Sequence, residues 1–210
     1  MILLCTLPLA AESPPTFHQV LNQARMQNHG LETFQVNLNM QFLLAGMRIP
    51  AGGVLYFQHP DKIRLKVNNL PRSLRNRRGF FRSMIPTSFN PDDYKGRIAG
   101  EEILDGKIHC TILEMIPRGD SPISRARVWV NRERNVSPKS EIFYESGGVI
   151  RTLVNFRRES DFILPDRQFV ELDFPGFSTR ARIEYGQYRI NIPLPGGIFD
   201  CDDDSTDPKD

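Results

Sequence analysis

Four histidines, three cysteines and two small carboxylate clusters are the residues of this chain with the types to do chemistry. Their spacing assembles no reaction. His18, His29, His59 and His109 are scattered, and none has a second histidine, a cysteine or a carboxylate at metal-ligand spacing. No HExxH, CxxC, GxSxG or phosphate-loop pattern occurs. Glu101-Glu102 with Asp105 and Asp92-Asp93 are paired carboxylates, a combination able to do acid–base work, but adjacent carboxylates in loops are ordinarily solvated. The expectation is a protein that is not an enzyme and holds no cofactor and no metal. Cys110 and Cys201 are open to two readings, a disulfide in an oxidising compartment or two separate thiols.

The densest charge feature is basic. Arg72, Arg75, Arg77, Arg78 and Arg82 enclose Phe80-Phe81. Cations beside aromatics suit an anionic membrane surface, where each charge contributes roughly 1 kcal/mol. The alternative is a solvated loop whose two phenylalanines tuck into the body. Nucleic acid is set aside as a partner, since the chain has one tryptophan and no recognised module.

Charge is unevenly distributed around a net +2. From Asp200 onward six aspartates face one lysine, which leaves a body with 26 basic and 19 acidic residues. That imbalance points to an anionic partner or to a plain solvated surface. Residues 1–11 read as an export signal, an apolar stretch closing in Ala10-Ala11 before Glu12-Ser13 and Pro14-Pro15. A short buried N-terminal strand is the other reading. Cys5 raises lipidation, yet Leu4 stands where a lipoprotein signal wants Gly, Ala or Ser. No stretch approaches the ~20 apolar residues that a membrane-crossing helix needs.

The elements that would position any site are strands. Val36, Leu38, Met40, Phe42 and Leu44 recur at every second position, with Asn37, Asn39 and Gln41 between them. Ile63, Leu65 and Val67 repeat the pattern, as do Val170, Leu172 and Phe174, then Ala181, Ile183 and Tyr185. A period of two places one set of side chains on one face of a sheet. The spacing predicts strands near 32–45, 53–58, 62–68, 107–116, 123–131, 138–145, 148–157, 167–175, 178–186 and 187–193. His59-Pro60-Asp61, Gly106, Gly147-Gly148, Gly176 and Gly186 mark turns between them. Residues 69–100 read as irregular, with a short helix opening at Asn90-Pro91. One helix is well signalled: Thr16 and Gln19 form a capping-box pair, and Phe17, Val20, Leu21 and Ala24 make its apolar stripe. The result is a meandering sheet, barrel or sandwich with a single helix.

A sheet with one apolar face must cover it. If one helix and one irregular segment are the whole cover, the concave face can hold acyl chains, each buried methylene contributing about 0.8 kcal/mol. A collapsed core without a cavity is the alternative. On the cavity reading the lining residues are Val36, Leu38, Met40, Phe42, Leu44, Ile63, Leu65 and Val67.

The order of the motifs carries a resemblance. The helix and first long strand are followed by Gly53-Val54-Leu55-Tyr56-Phe57-Gln58-His59-Pro60-Asp61-Lys62-Ile63-Arg64. Then come Gly100-Glu101-Glu102-Ile103-Leu104-Asp105-Gly106-Lys107, Val128-Trp129-Val130-Asn131-Arg132-Glu133, Ile142-Phe143-Tyr144-Glu145-Ser146-Gly147-Gly148 and Ile190-Asn191-Ile192-Pro193. Over residues 15–200 this resembles the LolA-like family of periplasmic outer-membrane lipoprotein-sorting proteins. The resemblance implies a mainly β fold: a strongly curved antiparallel sheet forming an incomplete β-barrel, closed by an N-terminal helix and a short helix or loop lid. It also implies a periplasmic location and acyl chains of a lipid or lipoprotein as ligand. An inner-membrane donor and an outer-membrane acceptor are the implied partners. The chain then divides into a leader (1–11), one lipid-binding domain (12–200) and an acidic tail (201–210). Relatives also include envelope sensors, so an interaction module on the same fold is the second reading. One position departs from the family pattern: the basic residue, usually Arg, just before the Pro of the second strand is His59 here. His59, Arg75, Arg77, Arg78, Phe80 and Phe81 are the expected lid or docking residues.

Overall fold

The computed structural model describes residues 14–44, 46–68 and 91–200. One helix, α1 (Phe17–Met26), precedes ten strands: β1 (Thr33–Leu44), β2 (Met47–Gln58), β3 (Lys62–Asn68), β4 (Tyr94–Leu104), β5 (Ile108–Pro117), β6 (Ile123–Asn131), β7 (Lys139–Tyr144), β8 (Val149–Glu159), β9 (Phe162–Phe174) and β10 (Phe177–Ile190). A single 3₁₀ turn, Pro91–Asp93, leads into β4. All ten strands form one antiparallel sheet in the order β3-β2-β1-β10-β9-β8-β7-β6-β5-β4. The sheet is a meander except at β1, which pairs with β10 from the far end of the chain. The sheet curves without closing, so β3 and β4 remain its two edges.

The helix forms where the sequence signals it. Thr16 Oγ1 accepts from the Gln19 backbone N–H, and the Gln19 side chain accepts from the Thr16 N–H. This reciprocal cap satisfies two donors that a helix start otherwise leaves orphaned. Phe17, Val20 and Leu21 are buried against Leu113, Met115, Ala126, Val128 and Val130, with Ala24 packed beside them. The C-terminal turn is tied down as well. Asn28 exchanges two hydrogen bonds with the backbone of Ile163 at the start of β9.

Three strand expectations need correction. Residues 94–100, read as part of an irregular segment with a short helix, belong to the edge strand β4. The segments 178–186 and 187–190 are one strand, β10, residues 191–193 lie beyond its end, and Gly186 is no turn: it lies at a register irregularity between β1 and β10. A Cβ on Gly186 would stand 3.1 Å from the Asn37 carbonyl oxygen, so the glycine admits a close backbone approach. Strand β2 begins at Met47 rather than 53. Among the described residues β3 pairs with β2 only from Gly52 onward, so Pro50 has no described ladder partner on that side.

Register makes the two faces explicit. Across the inner face one row runs Ile49, Phe42, Ala181, Val170, Thr152, Ser140, Val128 and Leu113, from β2 to β5. On the outer face, Arg180, Glu171, Arg151, Glu141, Arg127, Glu114 and Arg97 stand opposite one another on β10 through β4. Charge sign alternates at every step of this ladder. Ion pairs close at Arg180–Glu171 (3.0 Å), Arg97–Glu114 (2.6 Å) and Arg127–Glu114 (3.5 Å). Opposite charges directly across a strand pair contribute roughly 0.2–1 kcal/mol each.

Candidate functional site

The inner face of β1 is the centre of the larger apolar cluster. Val36, Leu38, Met40 and Phe42 are buried, and Leu44 at the end of the strand is half-buried. The alternation places them on one face, and pairing supplies their neighbours. On β2 these are Leu55, Gly53, Ala51 and Ile49; on β10 they are Tyr188, Tyr185, Ile183 and Ala181. Ile63, Leu65 and Val67 extend the same cluster on edge strand β3, where they are half-buried. The structure therefore brings together all the lining residues expected on β1 and β3 except Leu44, which is outside the cluster's members. It adds residues that the sequence reading left out of the site: Leu55 on β2, Tyr185 and Tyr188 on β10, and Val170 and Leu172 on β9. Their alternation is visible in the sequence; their adjacency to β1 is visible only in the pairing.

Polar groups also sit within this apolar surface. Gln168 is fully buried and accepts a 2.6 Å hydrogen bond from the Tyr185 hydroxyl. Tyr188 donates to the Pro165 carbonyl at 2.8 Å, and its ring stacks with that of Tyr185. Burial raises the pKa of both tyrosines well above the ordinary phenol value, so both remain neutral hydrogen-bond donors.

The helix divides the inner face. It packs over β5 and β6, while the β1 cluster occupies the other side, and Ile142 on β7 touches both clusters. The 3₁₀ turn anchors the near end of β4, where the Asp93 carbonyl accepts from the Arg118 N–H. At the opposite end of the barrel, Asn191 pins the entry to β1. Its side-chain oxygen accepts from the Glu32 and Thr33 N–H groups, and its amide donates to the Gly30 carbonyl.

The other expected site residues fall elsewhere. His59 is exposed at the β2–β3 turn, and its backbone N–H donates to the Glu32 carbonyl at 2.7 Å. Arg75, Arg77, Arg78, Phe80 and Phe81 lie outside the described residues, as does Cys201. Cys110 is a buried thiol, 1% exposed. Burial pushes its pKa up to about 11, and the Glu102 carboxylate adds to the shift.

The carboxylate pair Glu101-Glu102 is split by the strand pleat. Glu101 pairs with Arg132, whose Nε donates to Thr111 Oγ1. Glu102 accepts a 2.7 Å hydrogen bond from the Trp129 indole, with Lys139 at 3.5 Å. That indole bond is the main reason the Glu102 carboxyl lies below the usual range; burial opposes it, and the Lys139 charge adds to the lowering. The two groups serve different structural partners and do not face one another. Among the described residues no group of three His, Cys, Asp or Glu side chains is placed to hold a metal.

Solved structures share this architecture. A LolA superfamily protein from Nitrosomonas europaea superposes with a TM-score of 0.57 at 17% identity, over 89% of this chain and 98% of that one. The fold is LolA-like. A Vibrio parahaemolyticus domain named for outer-membrane lipoprotein sorting gives a TM-score of 0.67 at 13% identity, covering 86% of this chain and 94% of its own. A DUF1329 family protein from Desulfovibrio piger gives 0.62 at 13% identity, covering 86% and 95%. No protein-family model and no curated protein matches the sequence.

Proposed function

We propose that this chain is a periplasmic binding protein that shields the acyl chains of a lipid or lipoprotein against the inner face of its open barrel. In this reading it carries them between an inner-membrane donor and an outer-membrane acceptor. The reading is of a carrier and not of an enzyme. One observation carries it: the inner face of β1, β10 and edge strand β3 is an extended apolar surface, and α1 packs on the opposite half. Apolar contact is non-directional and scales with the area removed from water, which suits a ligand of methylenes. The fold neighbours, one named for lipoprotein sorting and one as a LolA superfamily protein, support the reading through shared architecture.

The experiment is displacement of a fluorescent fatty acid by unlabelled acyl ligands. Leu38→Glu or Phe42→Glu, each placing a charge on the inner face, should abolish binding in a variant that keeps its far-ultraviolet circular dichroism. Unchanged binding in a folded variant refutes the site.

A second reading is an interaction module on the same fold, without transported cargo. The burial of Val36, Met40 and Phe42 to 1% exposure favours it, because a face already filled by its own side chains leaves less room for ligand. Native mass spectrometry of protein taken from its own envelope separates the two: co-purifying lipid supports the carrier, and a bound protein without lipid supports the module.

A further inference from the structure

The outer faces of half-covered sheets are ordinarily polar, and this one is not uniformly so. Phe169 on β9 and Leu153 on β8 stand directly opposite each other on the outer face, 43% and 51% exposed. Cations surround the pair. Arg182 and Lys139 flank it in the same cross-strand row, and the Arg182 guanidinium lies 5.8 Å from the Phe169 ring centroid. Arg180 and Arg151 belong to the next row, and Arg167 lies on the other side. Four carboxylates share this area, Glu171, Glu141, Glu184 and the Glu102 that pairs with Lys139, against those five cations. Glu171 is paired with Arg180 and Glu184 with Arg182. Arg151 and Arg167 are exposed and have no ion pair among the described residues.

We infer that this outer-face patch is a docking surface for an anionic phospholipid bilayer. Two exposed arginines without an ion pair among the described residues, Arg151 and Arg167, next to two exposed apolar side chains match the interfacial layer of such a membrane, where headgroups meet the first methylenes. The shape of the patch favours a bilayer over a peptide. Strands β8 and β9 are both paired on each side, so no free backbone edge is offered for strand addition. The clefts described in the structure lie elsewhere, one at the β5–β6 turn and one beside Cys110. The patch lies on the face opposite the proposed acyl site. This inference goes beyond the carrier reading and stands without it, because docking is measured with no cargo present.

The test is co-sedimentation of the full chain with phosphatidylcholine vesicles that do or do not contain phosphatidylglycerol, at low and high salt. Binding should require phosphatidylglycerol and weaken as salt rises, since exposed charges are screened beyond ~8 Å at physiological ionic strength. Arg151→Gln with Arg167→Gln should lower vesicle affinity by up to about fivefold per charge removed. Lysine at the same two positions should retain binding. Phe169→Ser with Leu153→Ser should also weaken binding but leave its salt dependence unchanged. The inference is overturned if the Gln double variant binds like the parent, or if neutral vesicles bind equally well. It is also overturned if the chain binds polyaspartate but not vesicles, which would assign the patch to an acidic polypeptide. Loss of vesicle binding on Gln substitution of Arg75, Arg77 and Arg78 alone, with the outer-face variant unaffected, overturns it too. The fatty-acid displacement assay fails or succeeds independently of each of these outcomes.

Discussion

At the scale of single residues, two positions set tight limits on what this molecule tolerates. Gly96 on β4 faces Phe17 of α1: a Cβ there would lie 2.3 Å from the phenyl ring and 2.9 Å from the Glu114 carbonyl oxygen. The helix can seat its first apolar residue only because β4 offers no side chain at that point. Gly96→Ala should therefore destabilise the fold by about 1–3 kcal/mol, the cost of an overpacked core. Thermal unfolding should show this as a drop of about 2–4 °C per kcal/mol. Shortening the ring should relieve it, so Phe17→Leu in the Gly96→Ala background should cost less than in the parent; strict additivity would refute the contact. Cys110 is the second position. A thiol with 1% exposure and a pKa near 11 has little thiolate at neutral pH and little access for a reagent. Iodoacetamide near pH 8 should leave it unmodified in the native chain and label it on unfolding, read by peptide mass spectrometry. Rapid native labelling would contradict the burial. Labelling of the unfolded chain only after reduction would show that Cys110 is in a disulfide, and non-reduced peptide mapping would tell whether Cys201 is its partner.

At the scale of elements, the outer-face ladder has a pH signature. The hydrogen bonds from Arg97 to Glu114, and next the charges of Arg97 and Arg127, hold the Glu114 carboxyl below the usual carboxylate range. A group whose folded pKa is depressed contributes stability above its unfolded value, about 4.3 for Glu, and loses it as pH falls through the folded pKa. The melting midpoint should fall as pH drops below that value, and Glu114→Gln should flatten this part of the profile. An unchanged slope would mean that the ladder pair contributes nothing measurable. The elements also differ in how visible they are in sequence. The start and apolar stripe of helix α1 are legible because cap and stripe are local, whereas its end, at Met26, falls short of the Gly30 that the sequence offers as a stop. Strand β4 is hidden by the same feature that makes it work. Its inner-face position 96 is glycine to admit Phe17, and a register irregularity between Ile98 and Gly100 shifts the alternation partway along. A period-two pattern cannot survive a missing side chain and a slipped register. Gly186 misleads for the converse reason: its glycine answers a close approach of β1, and such contacts between distant segments leave no local mark.

At the scale of the whole molecule, the architecture follows from one non-local pairing. Joining β1 to β10 places the N-terminal hairpin beside the C-terminal strand and leaves β3 and β4 as the sheet's two edges. The apolar faces of β1 and β3 are readable from alternation alone. That they merge with β9 and β10 into one surface is set by register, which the pattern of a single strand does not contain. The same surface separates the carrier from the interaction module through linkage. A ligand that binds only the folded state stabilises it by about 2.7 kcal/mol at a hundred times its dissociation constant. For a chain of this size that is a rise of about 5–10 °C in the unfolding midpoint. Burial of about 0.8 kcal/mol per methylene sets a further expectation, since each two-carbon extension of a saturated fatty acid should tighten binding about fifteenfold. The gain should stop once the chain outgrows the apolar row. Differential scanning fluorimetry across a series of chain lengths reads both quantities. A midpoint that rises with chain length and then levels is the behaviour of an acyl carrier, and the level marks the length of its site. A midpoint indifferent to every chain length would mean that Val36, Met40 and Phe42 are a closed core, and the carrier reading would fall.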